Sequence, residues 1–391
     1  MKILRSIQTL NPAIGGPIES VRQSSLALSR AGHEVLILTL DDPTAPWLKD
    51  VQVNVHTFGP APSGYGHAPD LLDWIRKHHA EFDAVLVHGV WQYLGYSAWK
   101  ALHGTATPYF VFPHGMLDPW FRRNYPGKHL KKLLYWIAVE HRVLRDATAV
   151  LFTSEEERRL ARQSFRPYHV TERVVNYGTA APDIDLSQAR ERFFNRFPNL
   201  RNARVFLFLG RLHGKKGCDL LIRAFADVIR SEKADRPLHL VMAGPPTSPA
   251  YLEELKHLVE TSMGENAPVT FAGMLSGQTK WEAFAAAEVF VLPSHQENFG
   301  IAVAEALACG TPVLISQKVN IWREIVDDGA GLAEPDTVEG TKHLLQRWLG
   351  LSEAERAAMC KRAAACFMAR FQIERAASSL ISVLSEFVRA R

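Results

Sequence analysis

Residues 293–316, PSHQENFGIAVAEALACGTPVLIS, decide the fold class of this chain. The apolar run Val289–Leu292 comes directly before them and predicts a buried strand. After a polar loop, apolar residues at helical spacing predict a helix over Ile301–Cys309, and Pro312–Ile315 predicts a second strand. A strand, a helix and a strand in this order, with strands that are apolar throughout, are typical of a parallel sheet covered by helices on both faces.

The same alternation continues through most of the chain and predicts an α/β protein. Strands are predicted in the first half at Ile3–Ile7, Glu34–Leu40, Val51–Thr57, Ala84–His88, Tyr109–Phe112 and Ala149–Thr153. Further strands are predicted in the second half at Val205–Gly210, His239–Ala243 and Val269–Ala272. Helices are predicted between them at Ile18–Ala31, Lys128–Arg145, Cys218–Arg230, Ala250–Ser262 and Gln278–Ala286.

The chain is long enough for two hydrophobic cores. It has 391 residues, of which 47% are hydrophobic and 22% charged, a composition typical of folded domains. The alternation stops at Asn176–Asp185, NYGTAAPDID, which we interpret as a linker. We therefore predict Rossmann-like domains over residues 1–180 and 181–370, followed by a helix over residues 371–391 that packs back on the first domain.

Composition narrows the function classes. A net charge of +4 does not indicate nucleic acid, but it fits anionic ligands or an anionic membrane surface. The four cysteines have the spacing of neither a zinc site nor a disulfide framework, which favours a reducing cytoplasm. The chain start lacks the apolar segment of a signal peptide, and no apolar run reaches the roughly 20 residues that span a bilayer. We expect a cytoplasmic protein, with any membrane contact peripheral and from the cytoplasmic face.

Two carboxylates accompany the loop and helix of the quoted stretch. Glu297 lies in the loop and Glu305 in the second turn of the helix, so they would bind two ends of an extended ligand. Gly300 lets a ligand approach the backbone, and the first N–H groups of the helix favour an anion such as a diphosphate. The alternative is that Glu297 caps the helix and Glu305 is a surface charge.

A second strand, loop and helix carry basic residues. The segment Phe208–Phe225, FLGRLHGKKGCDLLIRAF, places Arg211 and Lys216 just after a predicted strand. Phosphate is a natural partner for such charges, since Arg binds it through a fork and Lys as a point charge. The segment does not match a P-loop. The alternative is a solvated basic loop, which is the interpretation we favour for Lys215.

Here the sequence resembles the retaining glycosyltransferases of family GT4, which have the GT-B fold. Glu297-x₇-Glu305 within PSHQENFG…EALACGTPV resembles their signature, and GRLHGKKG resembles their phosphate-binding loop. The resemblance covers nearly the whole chain. PHGMLDPW (Pro113–Trp120) and VNIWREI (Val319–Ile325) resemble a branch that acts on bacterial surface polysaccharides. The resemblance implies two Rossmann-like domains facing across a cleft, the first for the acceptor and the second for the nucleotide sugar.

The resemblance also implies roles for residues of the second domain. Arg211 and Lys216 would hold the diphosphate and stabilise its charge as it leaves. Glu305 would bind the ribose hydroxyls, and Gly273–Leu275 would face the base. The hydroxyls of the donor sugar would bind to Glu297 and to the backbone of Asn298, Phe299 and Gly300.

Candidate residues of the first domain are fewer. Gly15 and Gly16 in NPAIGG resemble the glycine loop that closes over the donor phosphates, although an ordinary tight turn would give the same pattern. His114 follows a predicted strand at its carboxyl end, and by resemblance it would contact the transferred sugar near the reacting carbon. His88 and Trp91 would shape the acceptor pocket, but a core role is equally compatible with their positions.

The segment Phe121–Arg145, FRRNYPGKHLKKLLYWIAVEHRVLR, mixes cations with large apolar residues at helical spacing. Such a helix could lie on an anionic lipid surface, here the inner membrane, where each nearby cation adds roughly 1 kcal/mol. The alternative is a helix packed on the first sheet with an exposed basic face.

We therefore expect a metal-independent, retaining hexosyltransferase that needs no cofactor. The donor would be a nucleotide-diphosphate sugar, with UDP favoured over GDP. The acceptor would be a glycan hydroxyl, for example on a lipid-diphosphate-linked glycan of an exopolysaccharide or O-antigen pathway. No D-x-D motif is placed to hold a metal against a diphosphate, and Asp41-Asp42 is expected in a turn. In a front-face reaction, the departing phosphate would take the acceptor's proton.

Three alternatives remain at this stage. One is another GT-B enzyme, either a sugar-nucleotide epimerase or a phosphorylase. The second is a dehydrogenase, and the third is a non-catalytic sugar-nucleotide-binding subunit.

Overall fold

The computed structural model describes residues 1–61, 64–232 and 235–388. The chain forms two compact units. The first comprises Met1–Thr179 together with Ile373–Arg391, and the second is Ala180–Gln372. The division between them falls inside the Asn176–Asp185 segment.

The first unit is built on a parallel sheet with the strand order β3-β2-β1-β4-β5-β6-β7. Its strands are β1 (Lys2–Ile7), β2 (Glu34–Thr39), β3 (Asn54–Thr57), β4 (Ala84–His88), β5 (Tyr109–Phe112), β6 (Ala149–Phe152) and β7 (Glu172–Val174). Its helices in this part of the chain are α1 (Gly16–Arg30), α2 (Pro69–His78), α3 (Tyr93–Leu102), α4 (Trp120–Asn124), α5 (Pro126–Tyr135), α6 (His141–Arg145) and α7 (Glu155–Ala161). The reversal of strand order beside β1 is typical of Rossmann-like sheets.

The second unit repeats this arrangement, with the strand order β10-β9-β8-β11-β12-β13, all parallel. Its strands are β8 (Arg204–Leu209), β9 (Leu238–Ala243), β10 (Val269–Gly273), β11 (Val289–Leu292), β12 (Val313–Ser316) and β13 (Gly331–Glu334). Its helices are α8 (Leu186–Arg196), α9 (Cys218–Ser231), α10 (Pro249–Met263), α11 (Gln278–Ala286), α12 (Ile301–Ala308), α13 (Trp322–Asp327), α14 (Val338–Gly350) and α15 (Glu353–Cys366). The predicted α/β class, with two Rossmann-like sheets, is confirmed.

The cores explain why these strands form parallel sheets. Every residue of β4, β5, β6, β11 and β12 is buried. Strands apolar on both faces must be covered on both faces, and the crossover helices provide that cover. Polar groups therefore gather where the strands end, at the carboxyl edge of each sheet.

The last helix, α16 (Ile373–Ser385), returns to the first unit and packs on α1. Its apolar face, which includes Ala377 and Leu380, is buried. Backbone contacts fix its start, because the Ile373 N–H donates to the Thr179 carbonyl at 3.1 Å. None of the helices in the described ranges is long and apolar enough to cross a membrane.

The predicted helix Lys128–Arg145 is confirmed, as part of an unbroken helical run from Pro126 to Arg145 that contains a π-helical turn. The chain forms α5, a π-helical turn over Trp136–Glu140, and then α6. Trp136 and Glu140, the first and last residues of the π turn, are each only 1% exposed. An apolar pattern at 3.6 residues per turn predicts the helix but not the π turn within it, which carries one extra residue.

Candidate functional site

The loop between β8 and α9 places Lys216 at the carboxyl edge of the second sheet. Gly217 ends the loop with φ +67, and a Cβ at this position would lie 2.2 Å from the Pro293 carbonyl oxygen. Only glycine therefore lets the loop lie against the end of β11. This close approach brings the Lys216 ammonium into direct contact with the Glu297 carboxylate. Arg211, earlier in the same loop, is exposed.

Two opposing effects act on the pKa of Lys216. Burial, and then the neighbouring Lys215 and Arg211 charges, lower the pKa of the Lys216 ammonium. Contact with Glu297 works in the other direction, because an opposite charge favours the protonated form. An incoming diphosphate would add negative charge beside Lys216 and favour the ammonium further.

The Glu297 loop is held by its own backbone. The Glu297 N–H donates to the Lys318 carbonyl (2.9 Å), and the Glu297 carbonyl accepts from the Asn320 N–H (3.0 Å). Gly300 follows at φ 80 and is the N-cap residue of α12, which begins at Ile301. The N-cap residue Gly300 has no side chain to cap α12, and the Glu297 carboxylate contacts Lys216. The amino end of α12 keeps the polarity that favours an anion.

Glu305 is a buried carboxylate with a dedicated cation. It is 4% exposed, which excludes the alternative of a surface charge. Lys280 on α11 donates to Glu305 Oε1 at 2.6 Å. The sequence prediction missed Lys280 because it lies in a helix without a recognisable motif. The available signal was a lysine next to the apolar stretch WEAFAA, where a cation needs a partner.

The remaining donor-site candidates lie at the same sheet edge. Gly273 ends β10 with φ 67, and its carbonyl accepts from the Gly244 N–H at 2.7 Å. Met274, just beyond it, is 66% exposed. Lys216 therefore follows β8, Glu297 and the start of α12 follow β11, and the segment Gly273–Leu275 follows β10. Lys280, the partner of Glu305, lies on α11.

In the first unit, the glycine loop follows β1. Asn11 caps a short 3-10 turn over Pro12–Ile14, and Gly15 at φ 121 leads into α1, which begins at Gly16. Buried Asp41 accepts from the Leu10 N–H at 2.7 Å and so fixes the start of this loop. The Asp41 carboxylate therefore has a structural role.

His114 follows β5 with φ 49, a conformation rare for residues other than glycine. The Gly115 N–H donates to Glu157 Oε1 at 2.6 Å, which holds this turn in place. His88, at the end of β4, is buried, and its Nδ1 lies 2.9 Å from His114 Nε2. His88 is therefore a core residue that contacts His114, which is one of the two roles that the sequence allowed for it.

Trp91 is part of an aromatic cluster. Its backbone is left-handed at φ 69, and its N–H donates to Glu140 Oε2 at 3.0 Å. Its ring lies 5.0 Å from Phe165 and 5.9 Å from Trp136. The core role explains these contacts, and an acceptor contact of Trp91 stays a prediction.

The segment Phe121–Arg145 presents an exposed apolar stripe. Leu130, Leu134 and Ile137 are 61%, 66% and 54% exposed, and the exposed cation Lys131 lies beside them. A cavity of about 350 Å³ lies on the flank of α5. Its lining combines cations with aromatic rings, among them Arg122, Lys128, Lys132, Phe121, Tyr125 and Phe165.

Two Rossmann-like units, with a basic loop and paired carboxylates at the carboxyl edge of the second sheet, define a GT-B protein. Solved structures agree on the fold. Sucrose-phosphate synthase from Thermosynechococcus elongatus has a TM-score of 0.77 at 20% identity, covering 98% of both chains. HepE from Anabaena, solved with UDP and glucose, has a TM-score of 0.75 at 19% identity, covering 99% of this chain and 100% of its own.

The chain belongs to the GT4-type glycosyltransferases. Residues 189–365 match the family model "Glycosyl transferases group 1", and residues 15–178 match "Glycosyl transferase 4-like domain". A D-inositol 3-phosphate glycosyltransferase of Xylanimonas cellulosilytica is 27% identical, over 96% of this chain and 93% of its own length. An uncharacterized glycosyltransferase of Methanocaldococcus jannaschii is 33% identical, over 42% of each chain. For a D-inositol 3-phosphate glycosyltransferase of Jonesia denitrificans, the match spans 62% of the relative's length.

Proposed function

We propose that this chain is a retaining glycosyltransferase that moves a hexose unit from a nucleotide-diphosphate sugar to an acceptor hydroxyl in surface polysaccharide biosynthesis. The observation that carries the proposal is the pair of contacts Lys216–Glu297 and Lys280–Glu305 at one sheet edge. A diphosphate needs positive charge, and ribose and hexose hydroxyls need carboxylate acceptors. Both kinds of group are present within one unit.

The donor we favour is a UDP-sugar, with a GDP-sugar second. The structure of HepE with UDP and glucose supports this preference. The base would meet backbone groups of Gly273–Leu275, and Glu305 would accept hydrogen bonds from the ribose. Glu297, with the backbone of Asn298, Phe299 and Gly300, would hold the sugar.

Departure of the diphosphate would be driven by fixed charge. Arg211, Lys216 and the amino end of α12 would stabilise the growing negative charge without a metal ion. Gly15 and Gly16 would let the first-unit loop approach the phosphates, and His114 would contact the sugar. The leaving phosphate would accept the acceptor's proton on the same face, so the anomeric configuration is retained.

The acceptor we favour is a glycan on a lipid diphosphate at the inner membrane surface. The exposed stripe Leu130, Leu134 and Ile137, flanked by cations, has the composition of a helix that lies in the lipid interface. Such contact would hold the enzyme where a lipid-linked acceptor is displayed.

The test is a transfer assay with UDP-glucose, UDP-galactose and GDP-mannose, each with a lipid-diphosphate glycan acceptor and with EDTA present. We expect transfer from one donor, and a product whose anomeric configuration, measured by NMR, matches that of the donor. Inversion of the anomeric configuration would refute the retaining mechanism, and turnover that requires a divalent ion would refute metal independence. Donor isomerisation without acceptor, or turnover that requires inorganic phosphate, would replace the proposal with an epimerase or a phosphorylase.

A further inference from the structure

In the described part of the chain, a buried cation with no acidic hydrogen-bond partner, Arg5, contacts His88, which in turn contacts His114. Arg5 on β1 is 2% exposed. Within the described part of the chain, its guanidinium donates to His88 Nε2 (3.2 Å), Ser24 Oγ (2.8 Å), Ser25 Oγ (2.9 Å) and the Val21 carbonyl (3.4 Å). None of these groups is negative. Burial lowers the pKa of Arg5 to about 10, which leaves it charged at neutral pH.

The hydrogen bonds give the chain Arg5–His88–His114 a fixed direction. A guanidinium can only donate, so the His88 Nε2 that it contacts must accept and carries no proton. His88 is neutral, because burial and then the Arg5 charge lower its pKa well below the usual value. Its single proton is therefore on Nδ1, from which it donates to His114 Nε2 at 2.9 Å.

The protonation of His114 is fixed in the same way as that of His88. Burial, and then the Arg5 charge, lower the pKa of His114 to about 3, so this ring is also neutral at working pH. Because His114 Nε2 accepts from His88, its one proton lies on Nδ1.

We propose that Arg5 and His88 are positioning residues that fix His114 as an Nδ1–H hydrogen-bond donor. The identity of the acceptor rests on the proposed function: it is an oxygen of the transferred sugar, which accepts a hydrogen bond from the Nδ1–H of His114. His114 then stabilises the sugar without taking a proton from the acceptor. The structure assigns no base function to His114, since its only unprotonated nitrogen is occupied by His88.

Other contacts keep the ring and its backbone in place. His88 and His114 stack with Phe112, at centroid distances of 5.0 and 5.5 Å. Glu157, 3% exposed, accepts from the Gly115 N–H at 2.6 Å and from the Thr153 N–H at 2.7 Å. The turn at His114 is thus tied to the first turn of α7. Among the described residues, the titratable and charged groups around the His114 ring are Arg5, His88, Tyr177 and, through Gly115, Glu157.

The direct test is nitrogen NMR of the ligand-free full chain labelled with ¹⁵N-histidine. We expect the rings of His88 and His114 to show the pattern of the Nδ1-protonated tautomer, unchanged between pH 8 and 5. The variants His88→Gln and His114→Gln assign the signals. An Nε2-protonated His114, or a ring that titrates near pH 6.5, would overturn the inference. This readout does not depend on activity, so it separates failure of the inference from failure of the proposed function.

Transfer kinetics test the consequence. The amide of His88→Gln can accept from Arg5 and donate to His114, whereas His88→Phe keeps the stacked ring and breaks the chain. Because a misplaced His114 ring would meet the sugar less well, we expect His88→Phe to lower kcat about 10- to 100-fold with little change in the KM for the donor, and His88→Gln to restore most of it. His79→Phe is the control, because His79 contacts Thr107 and is not part of the chain. Equal kcat for His88→Phe and His88→Gln, with thermal unfolding unchanged, would contradict the proposal.

Discussion

At the residue scale, the second-unit site depends on pairing each carboxylate with a lysine. Glu305 is nearly inaccessible to solvent, and a buried carboxylate is stable as an anion only when a cation or several donors accompany it. Lys280 provides that charge. The pair therefore offsets the cost of burying Glu305, whose carboxylate we propose as the acceptor for hydroxyl groups of the donor.

The variant Lys280→Met tests this pairing. Removing the Lys280 ammonium takes away the cation that contacts the buried Glu305 carboxylate, so we expect a loss of about 3 kcal/mol or more in the free energy of unfolding, measured by urea denaturation. The matched control is Lys256→Met, because Lys256 and its partner Glu253 are both exposed and we expect a change of at most about 0.5 kcal/mol. Equal effects of the two variants would show that the Lys280–Glu305 contact does not matter for stability.

The site residues differ in how far the sequence reveals them. Glu297, Glu305, Arg211 and Lys216 lie in or beside loops that follow apolar strands, so their position at the sheet edge follows from the pattern. Lys280 could not be found this way, because it reaches the site from the side of a helix. Arg5, His88 and Glu157 also depend on tertiary contacts, since the Arg5–His88 bond joins residues 83 positions apart and the Gly115–Glu157 bond residues 42 positions apart.

At the element scale, the β8–α9 loop is shaped by its contact with the end of β11. Gly217 makes this contact possible, whereas Gly264 at the end of α10 has a similar φ of +85 with nothing within 4 Å of an added Cβ. An alanine at Gly264 would therefore meet backbone strain alone, whereas an alanine at Gly217 would meet backbone strain and a steric clash.

We expect Gly264→Ala to cost about 1–2 kcal/mol from backbone strain alone. Gly217→Ala adds a clash with the Pro293 carbonyl, so a total of about 3 kcal/mol or more is expected. The displaced loop would also separate Lys216 from Glu297 and weaken nucleotide binding. Thermal unfolding and nucleotide titration measure the two effects. Equal losses at both glycines would show that the loop has room to move.

The α5 surface gives a second prediction at this scale. Replacing Leu130, Leu134 and Ile137 with serine removes exposed apolar area without changing charge, so we expect sedimentation with anionic lipid vesicles to fall severalfold. The control is Met368→Ser, because Met368 is 49% exposed in the other unit. If the triple variant binds vesicles as well as the wild type, the apolar stripe is not the membrane contact.

Some elements could not be predicted from local pattern. Strands β7 and β13, ERV and GLAE, are short and lack a run of apolar residues, so neighbouring strands impose their conformation. Strand β3 begins at Asn54 rather than the predicted Val51, and its residues are only partly buried or exposed. For the apolar strands, by contrast, the predicted bounds agree with the structure to within one or two residues, because strands buried on both faces are continuous apolar runs.

At the scale of the whole molecule, stability depends on buried titratable groups. Burial raises the pKa of Glu140 to about 8, against the opposing effects of the Trp91 N–H bond and Lys132. Between pH 4.5 and 8 the folded chain therefore holds a proton that the unfolded chain has lost. The contribution of Glu140 to stability is present at low pH and is lost as pH rises through 8.

The variant Glu140→Gln mimics the protonated carboxyl and can keep the bond to Trp91. We expect the wild type to lose stability relative to this variant as pH rises from 5 to 8, at up to about 1.4 kcal/mol per pH unit. Urea denaturation at pH 5, 6, 7 and 8 measures the difference. Parallel pH profiles would contradict protonation of Glu140 in the folded chain.

The central claim is that cations at the carboxyl edge of the second sheet hold the donor's diphosphate. Calorimetric titration of the full chain with UDP and UMP, and in parallel with the GDP/GMP and ADP/AMP pairs, tests it most directly. For the preferred base, we expect the diphosphate to bind at least about tenfold more tightly. Lys216→Met should remove most of that difference, whereas Lys215→Met in the same turn should not. Equal affinity for diphosphate and monophosphate, or an unchanged preference in Lys216→Met, would contradict the account.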